Sequence, residues 1–360
     1  MGGFFKPEYF MWLNKIARCS QHKENGRREN IAIQNNILIC SYTKLIPINI
    51  LAFFKSFMHK KQTLLIPEDY TEFFYWVKER TETFWSKSKS SSNTEGSPCP
   101  QWVEGAKWIG MTDEQIDATE AKYDITFMPE HRAFLRILHT IDRKKVSEYE
   151  EEGETQTYQT SFFYNWLEDE DEIVSRLNWP YRTVFEDVSP PQGVWLKSWG
   201  TRPSSVEEKE RIFADWYVKA PKLLPLTSHR FLVSRADLAD RPVLSVYGSD
   251  TIVYGWDLRL YLLNEITDHL DLYVPVFDEE DQCYYAEYRD ELTEVFDLAQ
   301  QKLPGKDIPY WKELILYWSS GWSSFGLKHP GDNGETVQPI MPTYVPDDQE
   351  PAQKRFKGFE

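Results

Sequence analysis

Residues Leu223–Ile266, LLPLTSHRFLVSRADLADRPVLSVYGSDTIVYGWDLRLYLLNEI, decide the fold class. Val243–Tyr247 and Thr251–Tyr254 are rich in β-branched and aromatic side chains, which suit a pleated surface, and Gly248-Ser249-Asp250 lies between them as a turn. The reading is a β-hairpin. Leu223–Leu226, continuing through Phe231–Val233, supplies a further strand, and Gly255-Trp256-Asp257 marks the passage into a helix whose first amides Asp257 can cap. Leu262, Leu263 and Ile266 then recur at helical spacing. Strand, hairpin and amphipathic helix in one segment predict an α+β fold, a mostly antiparallel sheet flanked by helices.

Upstream, Pro67 opens a helix with Tyr70, Phe73, Phe74, Val77 and Phe84 on one face. Ser86–Pro100, SKSKSSSNTEGSPCP, reads as a linker. Thr112 and Gln115 have capping-box spacing and start a second helix, and Pro129 starts a third with Phe134, Ile137, Leu138 and Ile141 buried. Asp142–Gln159 is charged and reads as a solvated loop, Ser161–Trp166 as a strand, and Glu168–Glu172 as the acidic entry to a short helix through Leu177. Gly193–Trp199, GVWLKSWG, alternates with period two, placing Trp195 and Trp199 on one face of a strand. Ser204–Ala220 is a helix with Ser204 and Glu207 at capping-box spacing. Tyr284–Gln301 and Pro309–Ser319 read as two more.

Four sections result. Residues 1–61 form a basic N-terminal extension, 62–100 a helix and linker, 101–325 the main α+β domain, and 326–360 a flexible, Gly- and Pro-rich tail. The extension carries a net charge of +7 and the remainder −23. A body that acidic repels phosphate backbones and anionic lipid, so neither nucleic acid nor a membrane is an expected direct partner. A basic protein is. The four cysteines stand far apart with no C-x-x-C pair, which suggests neither a disulfide framework nor a zinc ribbon. The most apolar span, Ile37–Phe57, is interrupted by Lys44 and Pro47 and makes a poor membrane helix, so a cytoplasmic location is the expectation.

Three passages together resemble the SUKH superfamily, which contains fungal cell-wall-assembly regulators and bacterial toxin-immunity proteins. They are Gly110–Leu135 (GMTDEQIDATEAKYDITFMPEHRAFL), Leu223–Val233 (LLPLTSHRFLV) and Pro242–Ile266 with its hairpin, aspartate turn and closing helix. A departure is Leu138–Asp142, which lacks the Asn-Gly turn often found after the family's second helix. The resemblance implies a compact α+β binding module without catalysis, of the kind that neutralises a toxin. A regulatory scaffold of the cell-wall-regulator kind is the alternative it also implies.

The residues point the same way. No phosphate-cradling, dinucleotide, H-E-x-x-H or nucleophile-elbow motif is present, and no cofactor or metal is expected. His131 and His139 are eight residues apart with no third ligand, and His229 is expected to make structural hydrogen bonds. Paired carboxylates with tryptophan faces would suit a carbohydrate-active enzyme or glycan binder, but the acidic runs read as solvated. Recognition of a basic toxin domain, of the nuclease type, is the favoured reading: carboxylates steer the encounter and aromatic side chains anchor it. The candidate partner-binding residues are Trp166, Glu168, Asp169, Asp171, Trp195 and Trp199.

Overall fold

Helix α1 (Tyr70–Lys87) begins where the Asp69 carboxylate accepts the Thr71 and Glu72 amides, at 2.9 and 3.0 Å. Pro67 therefore precedes the cap instead of opening the helix. Of the expected stripe, Phe73, Phe74 and Val77 are fully buried, joined by Trp85. The computed structural model describes residues 65–87, 99–151, 154–278 and 283–328, all within one compact unit, Thr63–Val345. The expectations for 1–61, for most of the Ser-rich stretch and for the tail beyond 328 lie outside the described residues.

Strand β1 (Trp108–Ile109) pairs antiparallel with β2 (Thr140–Ile141), and α2 (Asp113–Tyr123) and α3 (Pro129–Leu138) run between them. The capping box is present in both directions: Gln115 N–H donates to Thr112 Oγ1 at 3.2 Å, and Thr112 N–H to Gln115 Oε1 at 2.9 Å. Pro129 stands in the first turn of α3, as expected. Gly110 lets β1 lie against that helix, because a Cβ there would stand 1.9 Å from the Arg136 carbonyl oxygen. Backbone cannot step aside as a side-chain tip can. Gly110→Ala is expected to cost about 1–3 kcal/mol in urea unfolding, and a change near zero would show that β1 is free to shift.

Where a loop was expected, β3 (Lys145–Glu151) and β4 (Glu154–Thr160) pair antiparallel as a two-stranded ribbon. Thr155, Thr157, Tyr149 and Tyr158 supply the strand preference that its glutamates obscure. Ser161–Trp166 holds no strand. It follows the edge of the central sheet with one ladder-like bond, Tyr164 N–H to the Leu226 carbonyl at 2.9 Å.

Helix α4 (Glu170–Val188) is far longer than its apolar start implied and carries Pro180 inside. Helix α5 (Val206–Lys219) is capped by Ser205, whose hydroxyl accepts the Glu208 amide at 3.2 Å, one residue later than the Ser204 reading. Val206, beside the cap, faces solvent. There follow β5 (Lys222–Thr227), β6 (Arg230–Ser234), β7 (Val243–Tyr247), β8 (Asp250–Gly255) and α6 (Leu258–Glu265). The run from Leu223 to Val233 is thus two strands, reversed at Ser228, whose φ is +49°. Then β9 (Tyr273–Asp278) pairs with β10 (Cys283–Tyr288), so the helix expected from Tyr284 starts only at α7 (Asp290–Gln301). The last expected helix is the single turn α8 (Trp311–Ile315), followed by a 3-10 segment, Ser319–Phe325.

The central sheet runs β5-β6-β7-β8, all antiparallel. Its strands read as nearly unbroken apolar runs because both faces are covered. Leu224, Leu226, Leu232 and Val243 turn to a core shared with α1, α3 and α6. Leu223, Phe231, Val233, Leu244 and Val246 turn to a second core with α4, α5 and α8. The predicted hairpin is β7–β8. Gly248 adopts φ +59°, and a Cβ there would meet the Asp187 carboxylate at 2.5 Å, the group that accepts the Ser249 amide and hydroxyl at 2.7 Å each. Helix α4 thereby holds the turn. Among the described residues no helix is long and apolar enough to cross a membrane.

Candidate docking surface

The three tryptophans expected to anchor a partner lie in the interior. Trp166 is 4% exposed and sits edge-on against Phe127, with its backbone N–H donating to His139 Nε2 at 2.8 Å. Trp195 and Trp199 are 1% and 8% exposed and pack edge to face at 5.0 Å, with Trp199 also against Trp216. The period-two reading of Gly193–Trp199 fails because no strand forms there. After Leu196 the chain tightens into a 3-10 turn, Lys197–Trp199, which brings both indoles to the same core. These side chains hold the fold and are withdrawn as contact residues.

Asp169 is also engaged internally. Its carboxylate accepts from Lys144 Nζ at 2.5 Å, from Ser161 Oγ at 2.6 Å and from the Asn165 amide at 3.0 Å. Burial by itself would raise its pKa, but these donors favour the anion and hold the carboxyl below its usual range. Glu168 and Asp171, in contrast, face solvent. Among the described residues no cation stands within ion-pair distance of either, whereas Glu170 pairs with Lys122 and Glu172 with Arg176.

Lys144 and Ser161 flank the β3–β4 ribbon, so Asp169 clamps both ends of the ribbon root to the start of α4. Seven residues at about 3.3 Å each carry the ribbon tip roughly 20 Å outward. Register puts Val146, Glu148, Glu150, Thr155, Thr157 and Gln159 on one face, and every one of them is exposed. Tyr149 and Tyr158 lie on the other face in edge-to-face contact at 5.7 Å. Among the described residues neither strand packs extensively on another element. An isolated two-stranded ribbon is marginal in water, so this one adds little to the stability of the domain.

The surface that results combines Glu148 and Glu150 of β3 with Glu168 and Asp171 at the start of α4. Two of these, Glu168 and Asp171, belong to the set expected from sequence. The ribbon glutamates do not, although alternation with β-branched Thr155 and Thr157 was the signal that could have found them.

Two polar sets lie elsewhere. His131 and His139 are buried, and desolvation pushes their pKa values down to about 3 and about 4. Arg230, by donating to Ser245 Oγ at 2.7 Å and lying 3.8 Å over the Tyr254 ring, approaches Glu265 at 3.7 Å. Burial raises the Glu265 carboxyl. His229, beside it, has Nδ1 3.0 Å from Ser228 Oγ, a local hydrogen bond as expected. Among the described residues no group of three His, Cys, Asp or Glu side chains is placed to hold a metal ion.

No protein-family model matches the chain, and no curated protein or solved structure matches it significantly.

Proposed function

We propose that this chain is a non-catalytic docking module whose acidic ribbon and adjoining helix start capture a basic protein. The observation that carries this reading is the β3–β4 ribbon itself: among the described residues it packs extensively on no other element, exposes Glu148 and Glu150 with no cation within ion-pair distance, and is clamped at its root by Asp169. Such a projection steers a cationic partner and presents unpaired strand edges on arrival. The SUKH-like order of Gly110–Leu135, Leu223–Val233 and Pro242–Ile266 supports a cytoplasmic immunity protein, one that neutralises a nuclease-type toxin by covering the basic groove meant for phosphates.

The test is capture from native lysate, comparing the wild type with the variant Glu148→Lys, Glu150→Lys, Glu168→Lys, Asp171→Lys. The wild type should retain a basic protein at one-to-one stoichiometry, with release as salt rises. The variant should bind it about 10- to 1,000-fold less tightly, with only a small drop in thermal stability, because all four side chains are exposed and only Asp171 lies in the first turn of α4. Equal retention by both proteins would place the interface elsewhere. Turnover of a sugar, ester or phosphate substrate would end the docking reading altogether.

A further inference from the structure

A cleft of about 760 Å³ lies away from the ribbon, between α5, the Lys197–Trp199 turn and the segment leading into α8. Trp199, Trp216, Ile308 and Leu316 line its interior. At its edge stands Tyr310, with φ +70° and ψ −55°. The Trp311 N–H donates to the Pro309 carbonyl at 2.9 Å, which makes Tyr310 the central residue of a γ-turn of the rare, strained hand.

A bulky side chain in that conformation is an outlier that glycine would relieve. Tyrosine is not kept there for burial, because the residue is 38% exposed and its ring edges onto Trp216 at a centroid distance of 6.2 Å. Strain combined with exposure yields little for the fold and concentrates at ligand sites. The ring's open side is an apolar platform at the mouth of a concave site.

The rim defines the ligand's chemistry. Lys219 pairs with Asp215 at 2.7 Å, and Lys312 with Asp307 at 3.4 Å. Each pair sets an acceptor beside a donor, the complement of two neighbouring hydroxyls. Glu313 is occupied by the Ser198 amide at 3.0 Å. The two ion pairs are internally balanced and Glu313 leaves the lining with a single net negative charge, so the cleft favours an uncharged ligand over a highly charged one.

We infer that this cleft binds a neutral saccharide, with the C–H face of a sugar ring on Tyr310 and its hydroxyls read by the Asp215–Lys219 and Asp307–Lys312 pairs. The site is independent of the docking surface, so the ribbon variant above should bind sugar like the wild type.

The test is calorimetric titration of the full chain with maltotetraose, cellotetraose, laminaritetraose and chitotetraose, using oligolysine and oligoglutamate as charged controls. At least one tetrasaccharide should bind the wild type and Tyr310→Phe at millimolar concentration or better. Tyr310→Gly should weaken that binding on the order of tenfold, yet leave the melting temperature unchanged or raised because the turn is relaxed. Binding by none of the four sugars would overturn the inference. So would preference for a charged control, or a Tyr310→Gly protein that melts several degrees lower, since the ring would then be packing.

Discussion

Arg241→Met is expected to destabilise the domain by about 3–5 kcal/mol, the usual consequence of stranding one member of a buried ion pair. The Arg241 guanidinium grips the Glu130 carboxylate with two bonds, from Nε to Oε1 and from Nη2 to Oε2, the second at 3.0 Å. Glu130 lies in the first turn of α3 and its side chain is only 5% exposed, so water cannot replace the lost partner. The same arginine donates from Nη1 to the Leu238 carbonyl at 2.6 Å, which fastens the β6–β7 connection to that helix. Urea unfolding measures the loss directly. Glu130→Leu together with Arg241→Met should recover most of it, because removing both charges also removes the desolvation cost. A single variant within about 1 kcal/mol of wild type would mean that the pair is effectively solvated.

Acid should weaken the domain through the two buried histidines of α3 and its C-terminal cap. In the unfolded chain each imidazole protonates near its ordinary 6.5, whereas in the folded protein burial delays protonation to about 3 for His131 and about 4 for His139. Stability is therefore complete at neutral pH and is lost as pH falls below 6.5, since the unfolded state binds the protons first. At about 1.4 kcal/mol per pH unit for each group, the pair costs roughly 5 kcal/mol by pH 4.5. Asp257 and Glu265, whose carboxyls burial raises, take up protons in the folded state and offset part of this.

The comparison with His131→Leu isolates one histidine from those offsets. Neither ring nitrogen of His131 has a hydrogen-bond partner among the described residues, and the ring lies 4.6 Å from that of Phe127. The variant should match or exceed wild-type stability at pH 7.5 and exceed it by about 2 kcal/mol more at pH 5. Parallel stability curves for the two proteins would refute the assignment.

Local chemistry was legible at several positions where a residue acts on neighbours in the chain. The Thr112–Gln115 box, Pro129 at the start of α3, Asp257 capping the Leu260 amide at 2.7 Å, and the turn at Gly248 all followed from side-chain reach and backbone freedom over a few residues. The apolar runs of β5 to β8 likewise announced a sheet, though not that it is covered on both faces. The α+β class therefore follows from sequence alone.

What lies between distant segments was decided only by tertiary structure. The pairing of Glu130 with Arg241 joins residues 111 positions apart, and Asp187 holds a turn 62 positions away. The candidate surface divides along the same line. Glu168 and Asp171 could be picked out as solvated carboxylates, but Asp169, between them in the chain, turns inward to Lys144 and Ser161. Tryptophans 166, 195 and 199 show the reason most clearly. An indole is apolar enough for a core and amphipathic enough for an interface, so its own chemistry leaves both outcomes open. Burial is settled by which other elements arrive beside it, and that is a property of the folded chain as a whole.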